Sequence, residues 1–170
     1  MHAGTVEDLR AVLETAKAES GLIDDRPNAL TFEVIWQGPD LDQRPTNLVI
    51  DKYLIAEALD NLLDNARKYS FASSTVRLSG GMTPAGEIYL SVQNHGIPIS
   101  SDDASACTQR GWRGLTARQI APGDGLGLWI VNSIMQAHGG RLVVTPTDAD
   151  GINDFRLIFP SHQGAKNHQL

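Results

Sequence analysis

The sequence predicts an α+β fold, a two-layer sandwich in which helices cover one face of a mixed, mostly antiparallel sheet. Three segments repeat apolar residues at intervals of three and four, which predicts amphipathic helices. Several shorter segments are rich in β-branched and aromatic residues or alternate apolar with polar ones, which predicts strands. Glycine and proline separate two of these strand segments at close range, which favours a hairpin-like connection.

The first half of the chain is predicted to contain two helices and two strands. Apolar residues recur at helical spacing in residues 6–19, whereas residues 30–36 alternate in the manner of a strand. Residues 48–50 predict a short strand. Asp51 is the expected N-cap of a long helix that ends near Tyr69.

The second half is predicted to contain four strands, one helix and a long loop. Residues 94–122 are polar, rich in small residues and without periodicity, so they are expected to be irregular. Gly139 and Gly140 are a typical signal for the end of a helix. The predicted helix is residues 126–138, and the predicted strands are residues 75–79, 88–93, 141–145 and 154–159.

Composition limits the classes of function. The chain has 170 residues, of which 41% are hydrophobic and 20% charged, and residues 1–160 are expected to form one soluble domain followed by a flexible tail at 161–170. The net charge of -6 argues against nucleic acid or an anionic membrane as the main partner. No apolar run approaches the roughly 18 residues that span a bilayer, and Cys107 has no partner for an intrachain disulfide. A cytoplasmic location is expected, although a parent protein could be anchored in a membrane through a segment outside this chain.

The helix predicted after Asp51 carries a polar stripe beside its apolar face. At about 100° per residue, Glu57, Asn61, Asn65 and Lys68 lie next to one another along this helix. An asparagine oxygen is a hard, neutral ligand that suits Mg²⁺, and a lysine one turn further on can meet a phosphate. A surface helix that happens to carry two asparagines is the alternative interpretation.

Two glycine-containing segments carry the other functional signals. Residues 123–128 (GDGLGL) run into a predicted helix, where glycines allow close approach of the backbone and helix N–H groups can bind phosphate. This segment is not a dinucleotide fingerprint. No strand precedes it, and Leu128 stands where the G-x-G-x-x-G pattern requires its last glycine. Residues 92–99 (VQNHGIPI) can place a hydrogen-bonding side chain at the end of a strand, although a plain turn is an equally simple interpretation.

Taken together, the three segments resemble the GHKL ATPase superfamily, and within it the catalytic domain of histidine kinases. Residues 61–69 (NLLDNARKY) are similar to the N box of that family. Residues 94–99 (NHGIPI) and 123–128 (GDGLGL) are similar to its first and second glycine boxes, and residues 136–140 (QAHGG) follow as in many members. The resemblance covers about residues 5–160.

The resemblance implies a Bergerat-type α/β sandwich that binds ATP and Mg²⁺. It implies that Asn65 ligates the metal with help from Asn61, that Lys68 approaches the phosphates, and that Tyr69 lies against the nucleotide. The resemblance places the lid at residues 108–119 and favours Arg113 as a contact of the γ-phosphate, with Arg110 and Arg118 as alternatives. Arginines on a solvated surface are the competing interpretation of all three. The remaining residues that the resemblance assigns to nucleotide binding are Asn94, Gly96, Pro98, Gly123, Gly125, Leu126, Gly127 and Leu128.

The resemblance also implies the type of reaction. Hydrolysing members of the superfamily carry a glutamate base four residues before the metal-binding asparagine, but here that position is Asn61, so phosphoryl transfer is expected rather than hydrolysis. The implied activity is that of a protein-histidine kinase in two-component signalling. The phosphate acceptor is expected on a separate dimerisation domain or partner, with a response regulator downstream, because none of the five histidines of this chain lies in an acceptor-like helix.

Two departures from the family pattern leave alternatives open. Asn94 stands where the family usually has an aspartate that binds the adenine amino group, and Pro98 replaces a glycine. An amide oxygen can still accept that hydrogen bond. A nucleotide-binding pseudokinase and a serine kinase of the anti-sigma-factor type are therefore the competing interpretations.

Overall fold

The computed structural model describes residues 2–21, 29–37 and 48–160. The predicted tail at 161–170 lies outside the described residues. The five helices in the described part of the chain are α1 (Val6–Gly21), α2 (Lys52–Tyr69), α3 (Ser101–Ala106), α4 (Leu115–Ile120) and α5 (Gly127–Ala137). The strands are β1 (His2–Gly4), β2 (Thr31–Gln37), β3 (Leu48–Ile50), β4 (Thr75–Met82), β5 (Ile88–His95), β6 (Arg141–Thr145) and β7 (Ile152–Phe159).

The main sheet has five strands in the order β2-β4-β5-β7-β6, and β1 and β3 form a separate antiparallel pair. Every neighbouring pair in the main sheet is antiparallel except β2 and β4, which run parallel. The predicted mixed, mostly antiparallel sheet is thus confirmed. Strand β1 was not predicted, since three residues carry no periodic signal.

The helices α1, α2 and α5 bury their apolar faces against one side of the main sheet. The predicted apolar face of α2, formed by Ile55, Ala58, Leu59, Leu62 and Ala66, is confirmed. Leu63 is buried as well. The strands supply alternate residues to the same core, among them Val76, Leu78, Leu90, Val92, Leu157 and Phe159. The predicted two-layer arrangement is therefore present. No helix within the described ranges combines the length and apolar character needed to cross a bilayer.

Helix α2 begins where the sequence predicts. The Asp51 carboxylate accepts a hydrogen bond from the backbone N–H of Tyr53 at 3.0 Å, as an N-cap does. The backbone N–H of Asp51 donates in turn to Nε2 of His138 at 2.9 Å. The other ring nitrogen of His138, Nδ1, lies 2.7 Å from the carbonyl oxygen of Ile134. Since a carbonyl only accepts and a backbone N–H only donates, this ring is a neutral imidazole protonated on Nδ1. The end of α5 is thereby joined to the beginning of α2.

The prediction that residues 94–122 are irregular was wrong in part. Strand β5 continues to His95, and the segment contains the helices α3 and α4. Helix α3 is capped by Ser100, whose hydroxyl accepts from the N–H of Asp103 at 3.1 Å. Each helix has six residues and buries none of them, so neither gives the apolar periodicity that reveals a helix in a sequence.

Strand β4 also extends further than predicted, through Gly80 and Gly81 to Met82. From the sequence, both glycines are predicted to belong to the turn between the strands at 75–79 and 88–93. Gly80 instead pairs with Leu90 of β5, and the ring of Trp36 from β2 covers it so closely that a Cβ atom there would overlap the ring. The glycine leaves room for the neighbouring aromatic side chain, which is a tertiary requirement that local sequence does not reveal.

Candidate active site

The predicted site residues gather around a cleft between α2, the end of β5, the lid and the beginning of α5. The cleft holds two adjoining cavities. The first, here the Asn94 cavity, has a volume of about 120 Å³, and the second, here the Gly127 cavity, has a volume of about 270 Å³. Both are lined by Asn65, Tyr69, Cys107, Trp112, Gly114, Ala117 and Leu128. The two cavities therefore form one continuous binding cleft.

Asn94 supplies a buried polar side chain to the first cavity. It lies near the end of β5 and is only 2% exposed. Its Nδ2 is 2.9 Å from the hydroxyl oxygen of Ser70, and among the described residues its Oδ1 has no hydrogen-bond partner. A buried carboxamide with one unsatisfied atom facing a cavity is suited to recognise a polar group on a ligand.

Gly96 permits the end of β5 to approach the end of α2. The N–H of Ile97 donates to the carbonyl of Tyr69 at 3.0 Å, and the N–H of Phe71 donates to the carbonyl of His95 at 2.9 Å. A Cβ atom at Gly96 would overlap the Tyr69 carbonyl oxygen and lie 2.7 Å from Nδ2 of Asn94. The glycine is required for this close contact, which fixes Asn94 beside the last turn of α2.

Asn153 is a cavity residue that the sequence analysis missed. Its Nδ2 donates to the carbonyl of Ile97 at 3.0 Å, and its Oδ1 accepts from the hydroxyl of Thr147 at 2.6 Å. The Thr147 hydroxyl oxygen also accepts from the N–H of Ile99 at 2.6 Å. This network holds the loop around Pro98 in place. The signal in the sequence was a polar residue on the face of β7 that Phe155 and Leu157 otherwise make apolar.

Other lining residues were also missed. Phe155, Trp112 and Thr116 line the Asn94 cavity together with the predicted Pro98 and Tyr69. They come from β7 and from the lid, far from the recognised motifs in the sequence. Nothing in their local sequence distinguishes them from ordinary core or surface residues.

The two asparagines of α2 face the beginning of α5 across the second cavity. An ideal Cβ atom at Gly127 would lie 3.3 Å from Oδ1 of Asn61 and 3.9 Å from Nδ2 of Asn65. The Nδ2 of Asn61 donates to the carbonyl of Glu57 at 2.9 Å, which leaves its Oδ1 toward the cavity. The Nδ2 of Asn65 is buried without a partner among the described residues. A half-turn of that amide exchanges its nitrogen and oxygen, so Asn65 can offer an oxygen to a cation at the same place.

Lys68 and Asp64 lie on the open side of the second cavity. Their charged atoms are 2.5 Å apart, and the side chains are 38% and 54% exposed, respectively. An exposed pair at this spacing contributes little to stability, so Lys68 can turn to another anion at small cost.

The beginning of α5 presents backbone N–H groups to the same cavity. Leu126 is its N-cap residue and makes no side-chain cap, and the Asp124 carboxylate accepts from the N–H of Leu126 at 3.0 Å. Gly125 has a left-handed φ of 73°, and a Cβ atom there would be 2.6 Å from the carbonyl oxygen of Trp112. Gly123 also lines this cavity. The glycines thus allow the lid backbone to pack against the segment that leads into α5, next to the first N–H groups of that helix, which have no partner within the helix itself.

Arg113 is engaged by the backbone around it. Its guanidinium donates to the carbonyls of Gly123 at 3.0 Å and Ala117 at 2.8 Å, and also to that of Ala121. The side chain lines the second cavity, but here it ties the lid to the second glycine segment. Of the alternatives, the Arg110 guanidinium lies 5.3 Å from the ring centroid of Trp129, and Arg118 is exposed on α4.

The acidic groups near the second cavity are not arranged as general bases. Asp60 lines neither cavity, and burial and the neighbouring Glu19 of α1 raise the pKa of its carboxyl. Asp64 and Asp124 do line the second cavity, but Asp64 pairs with Lys68 and Asp124 with the N–H of Leu126. The Cys107 thiol between the cavities is held neutral, because burial raises its pKa to about 11.

The second cavity does not provide a complete metal site of its own. Across the described ranges, no group of three or more histidine, cysteine, aspartate or glutamate side chains could hold a metal ion. A divalent cation bound at Asn61 and Asn65 would therefore need further oxygen ligands from a bound molecule or from water. Such a ligand set is typical of Mg²⁺ bound together with phosphate groups.

Three curated proteins resemble this chain over part of their length. The histidine-protein kinase/phosphatase MprB of Mycolicibacterium paratuberculosis is 34% identical over 112 residues, which are 66% of this chain and 21% of that protein. The sensor histidine kinase WalK of Bacillus subtilis is 34% identical over 73% of this chain and 21% of WalK. The sensor-like histidine kinase SenX3 of Mycobacterium tuberculosis is 36% identical over 69% of this chain and 29% of SenX3. The chain thus spans less than a third of the length of each.

Solved structures agree on the fold. A mycobacterial sensor histidine kinase MprB matches with a TM-score of 0.67 and 24% identity, over 91% of this chain and 93% of that one. The catalytic domain of histidine kinase ThkA matches with a TM-score of 0.69 and 19% identity, again over 91% and 93%. Full-length ShkA in complex with AMPPNP matches with a TM-score of 0.65 and 21% identity, over 93% of this chain and 30% of that one.

The family model described as histidine kinase-, DNA gyrase B- and HSP90-like ATPase matches residues 50–163. This range includes α2, both glycine segments and the strands between and after them. With the relatives described above, the match shows that the chain belongs to this family and is a sensor-histidine-kinase-type ATP-binding catalytic domain of the GHKL superfamily.

Proposed function

We propose that this domain binds Mg-ATP in the cleft and transfers the γ-phosphoryl group to a histidine on a separate dimerisation domain or partner. The observation that carries the proposal is the approach of Asn61 and Asn65 to the beginning of α5 at Gly127. One side of the cavity supplies amide oxygens and the other supplies helix N–H groups. These are complementary to a metal ion and to phosphate oxygens, respectively.

The shape and polarity of the two cavities suit different parts of ATP. The Asn94 cavity is lined mainly by apolar side chains, including Ile97, Ile99, Leu128 and Phe155, and it suits the base. The Gly127 cavity has Lys68 at its opening and glycine backbone along one wall, and it suits the triphosphate. Tyr69 lines both cavities and would lie against the nucleotide where they meet.

Asn65 and Asn61 are the proposed ligands for Mg²⁺. The buried amide of Asn65 without a partner fits this role, since a metal bond to its oxygen would satisfy it. When bound, Mg²⁺ neutralises charge on the phosphates that it contacts. The residues of the chain orient the nucleotide, because Gly96 fixes Asn94 at the base end and Gly127 keeps the phosphate end close to the asparagines.

Transfer is favoured over hydrolysis because an amide, and not a carboxylate, occupies the position from which a base would activate water. A water molecule needs a base to become a nucleophile, and the position four residues before Asn65 is the amide Asn61. The carboxylate of Asp124 is engaged by the N–H of Leu126. An external imidazole needs no such base, and the proposed acceptor is therefore a histidine brought to the open side of the Gly127 cavity.

The comparisons support the biological setting. The relatives are named as histidine kinases, which favours a parent protein with a dimerisation domain, a response regulator as the downstream partner and a cytoplasmic position for this domain. The ShkA structure in complex with AMPPNP shares the fold, which supports a nucleotide in the corresponding cleft.

Calorimetric titration with Mg-ADP, followed by phosphotransfer to an added dimerisation domain, tests the proposal. The wild type should bind Mg-ADP in the micromolar range. Asn65→Ala should lower the affinity about 10- to 100-fold and abolish transfer, since ligand losses of this size are typical at metal sites. Asn132→Ala, a change on α5 outside both cavities, is the matched control and should leave binding and transfer unchanged.

A second candidate is a nucleotide-binding module without phosphotransfer. It is favoured by Arg113, whose guanidinium is held by the carbonyls of Ala117, Ala121 and Gly123 rather than directed to the cavity. Binding of Mg-ADP with no acid-labile phosphohistidine on any supplied acceptor would support this alternative. Acid-stable phosphoserine would instead identify a serine kinase.

A further inference from the structure

The two buried amides of the Asn94 cavity differ in how their orientation is fixed. The carbonyl oxygen of Ile97 can only accept, so it must face the nitrogen of the Asn153 amide. The oxygen of that amide then faces the Thr147 hydroxyl and accepts from it, while the hydroxyl oxygen accepts from the N–H of Ile99. The Ile97 carbonyl therefore gives the amide of Asn153 one possible orientation.

The amide of Asn94 has no such constraint. Among the described residues its one hydrogen-bond partner is the hydroxyl of Ser70, at 2.9 Å. A hydroxyl can accept from an amide nitrogen or donate to an amide oxygen, so either end of the Asn94 amide satisfies Ser70 equally well. In one orientation the oxygen of Asn94 faces the cavity, and after a half-turn about its terminal bond the nitrogen does.

We propose that Asn94 and Ser70 together make this domain tolerant at position 6 of a bound purine, so that it accepts both 6-amino and 6-oxo nucleotides. With its oxygen toward the cavity, Asn94 accepts a hydrogen bond from the 6-amino group of adenine. With its nitrogen toward the cavity, it donates to the 6-oxo group of hypoxanthine or guanine. Ser70 changes from acceptor to donor at the same time, so the hydrogen bond between Asn94 and Ser70 is kept in both states.

The rest of the cavity wall supports this tolerance. Apolar side chains form most of it, and they contact the faces of a base without distinguishing the groups on its edge. Asn153 is held in one orientation by Thr147 and Ile97, so it presents the same groups to either base. A carboxylate at position 94 would accept hydrogen bonds only, and it would oppose a 6-oxo group.

Calorimetry with Mg-ADP and Mg-IDP tests the inference, which rests on the proposed nucleotide binding. Hypoxanthine, the base of IDP, has an oxo group at position 6 and a proton on N1, whereas adenine has an amino group at position 6 and no proton on N1. Hypoxanthine lacks the 2-amino group of guanine, so the comparison is confined to this edge of the base. The wild type should bind the two nucleotides within about tenfold of each other. Asn94→Asp should keep ADP binding and weaken IDP binding by at least about tenfold, the loss typical of one mismatched buried hydrogen bond.

Two further variants make the test specific. Ser70→Ala removes the partner that serves both orientations, so it should weaken ADP and IDP by the same factor and leave their ratio unchanged. Asn132→Asp adds the same charge on α5 outside the cavities, and it should alter neither affinity nor ratio. If Asn94→Asp does not fold, the ratio measured with the wild type decides the matter alone.

The outcomes separate this inference from the proposed function. Binding of ADP with IDP more than about 100-fold weaker in the wild type would overturn the inference and leave nucleotide binding intact. An unchanged ADP-to-IDP ratio in Asn94→Asp would also overturn it. If a wild-type protein that melts cooperatively binds neither nucleotide, the proposed function itself fails.

Discussion

The two ends of the cleft are built in different ways. The buried side chains of Asn94 and Asn153 lie on strands, and they are hydrogen-bonded to the end of a long helix and to the loop after β5, respectively. The lid borders both cavities and packs against the second glycine segment, and its helix α4 buries none of its six residues. Leu115 and Ile120 on that helix are 80% and 56% exposed. The strand side of the base end is therefore preorganised, whereas the lid that closes the cleft is a segment of low local stability.

This difference fits the demands that a phosphotransferase places on its cleft. A fixed pocket for the base lowers the entropy lost on binding. A weakly packed lid can open to release product and admit an acceptor side chain. Arg113, which joins the lid to the second glycine segment, is the main polar contact that limits its movement in this structure.

Gly96→Ala should disrupt the rigid end most strongly. The added methyl group would overlap the carbonyl of Tyr69, and the backbone contact between β5 and α2 would have to separate. We expect a loss of about 3 kcal/mol in the free energy of unfolding, at the upper end for overpacking, and a loss of ADP binding. Urea denaturation measures the first and calorimetry the second. Gly123→Ala, where the nearest atoms would be 3.9 Å away, is the matched control for stability only, because Gly123 lines the Gly127 cavity; equal losses of stability in the two variants would refute the contrast between the ends.

Cys107 lies in the wall common to both cavities and reports on access to them. Because burial raises its pKa to about 11, from an ordinary value of 9.0, the reactive thiolate is about 100-fold rarer near neutral pH than for a free cysteine. Alkylation of the native protein by iodoacetamide, followed by mass spectrometry, should be slower than that of the urea-unfolded chain by at least this factor. Bound Mg-ADP should slow it further. Cys107 is the only thiol of the chain, so labelling at native rates close to those of the unfolded chain would contradict the buried position.

Arg113→Ala should loosen the lid without weakening the base end. The change removes hydrogen bonds to three backbone carbonyls, and we expect the free energy of global unfolding to fall by about 1 kcal/mol or less. Amide hydrogen exchange should become faster in residues 111–125 and remain unchanged in α2. Arg118→Ala, on the exposed side of α4, should leave both regions as they are. Faster exchange throughout α2 would mean that the lid and the core are one cooperative unit.

Glu87→Gln should have the smallest effect, because this residue lies in neither cavity. A two-point hydrogen bond from Arg141, with both distances 2.8 Å, lowers the pKa of Glu87 from its ordinary value of 4.5. The stability that the ionised pair contributes is present above pH 4.5 and is lost as the pH falls through the lowered pKa. Since Arg141 is half exposed, we expect Glu87→Gln to lower the free energy of unfolding by only about a few tenths of a kcal/mol at pH 7. The free energies of unfolding of the wild type and Glu87→Gln, measured by denaturation, should converge toward pH 3. If their difference does not change with pH, the ion pair is not the cause of that difference.

The rigid end of the cleft was largely predictable from the sequence, and the lid was not. Helix α2 combines an N-cap at Asp51, an apolar face and a polar stripe, and all of these signals are local. The six-residue helices α3 and α4 have no buried face, so no pattern reveals them. The contacts of Arg113 depend on how the lid folds back on itself, and its assignment to the γ-phosphate stays a prediction.

Asn153 illustrates a different limit of sequence analysis. It lies on β7, and its role depends on Thr147 and on the loop after β5, which is more than fifty residues away in the sequence. Gly80 is similar, because the ring that covers it belongs to the parallel neighbour β2. Pairing between distant strands decides both cases, and local composition carries no record of that pairing.

The imidazole of His138 has a consequence for spectroscopy as well as for architecture. Both of its nitrogens are committed, one to the amide of Asp51 and the other to the carbonyl of Ile134, so neither is free to act as a nucleophile toward phosphorus. The Nδ1 proton is buried with its ring, which is 7% exposed, and should exchange slowly with water. Its magnetic resonance would then serve as a natural indicator that α2 and α5, the two helices that enclose the phosphate end of the cleft, remain docked to each other.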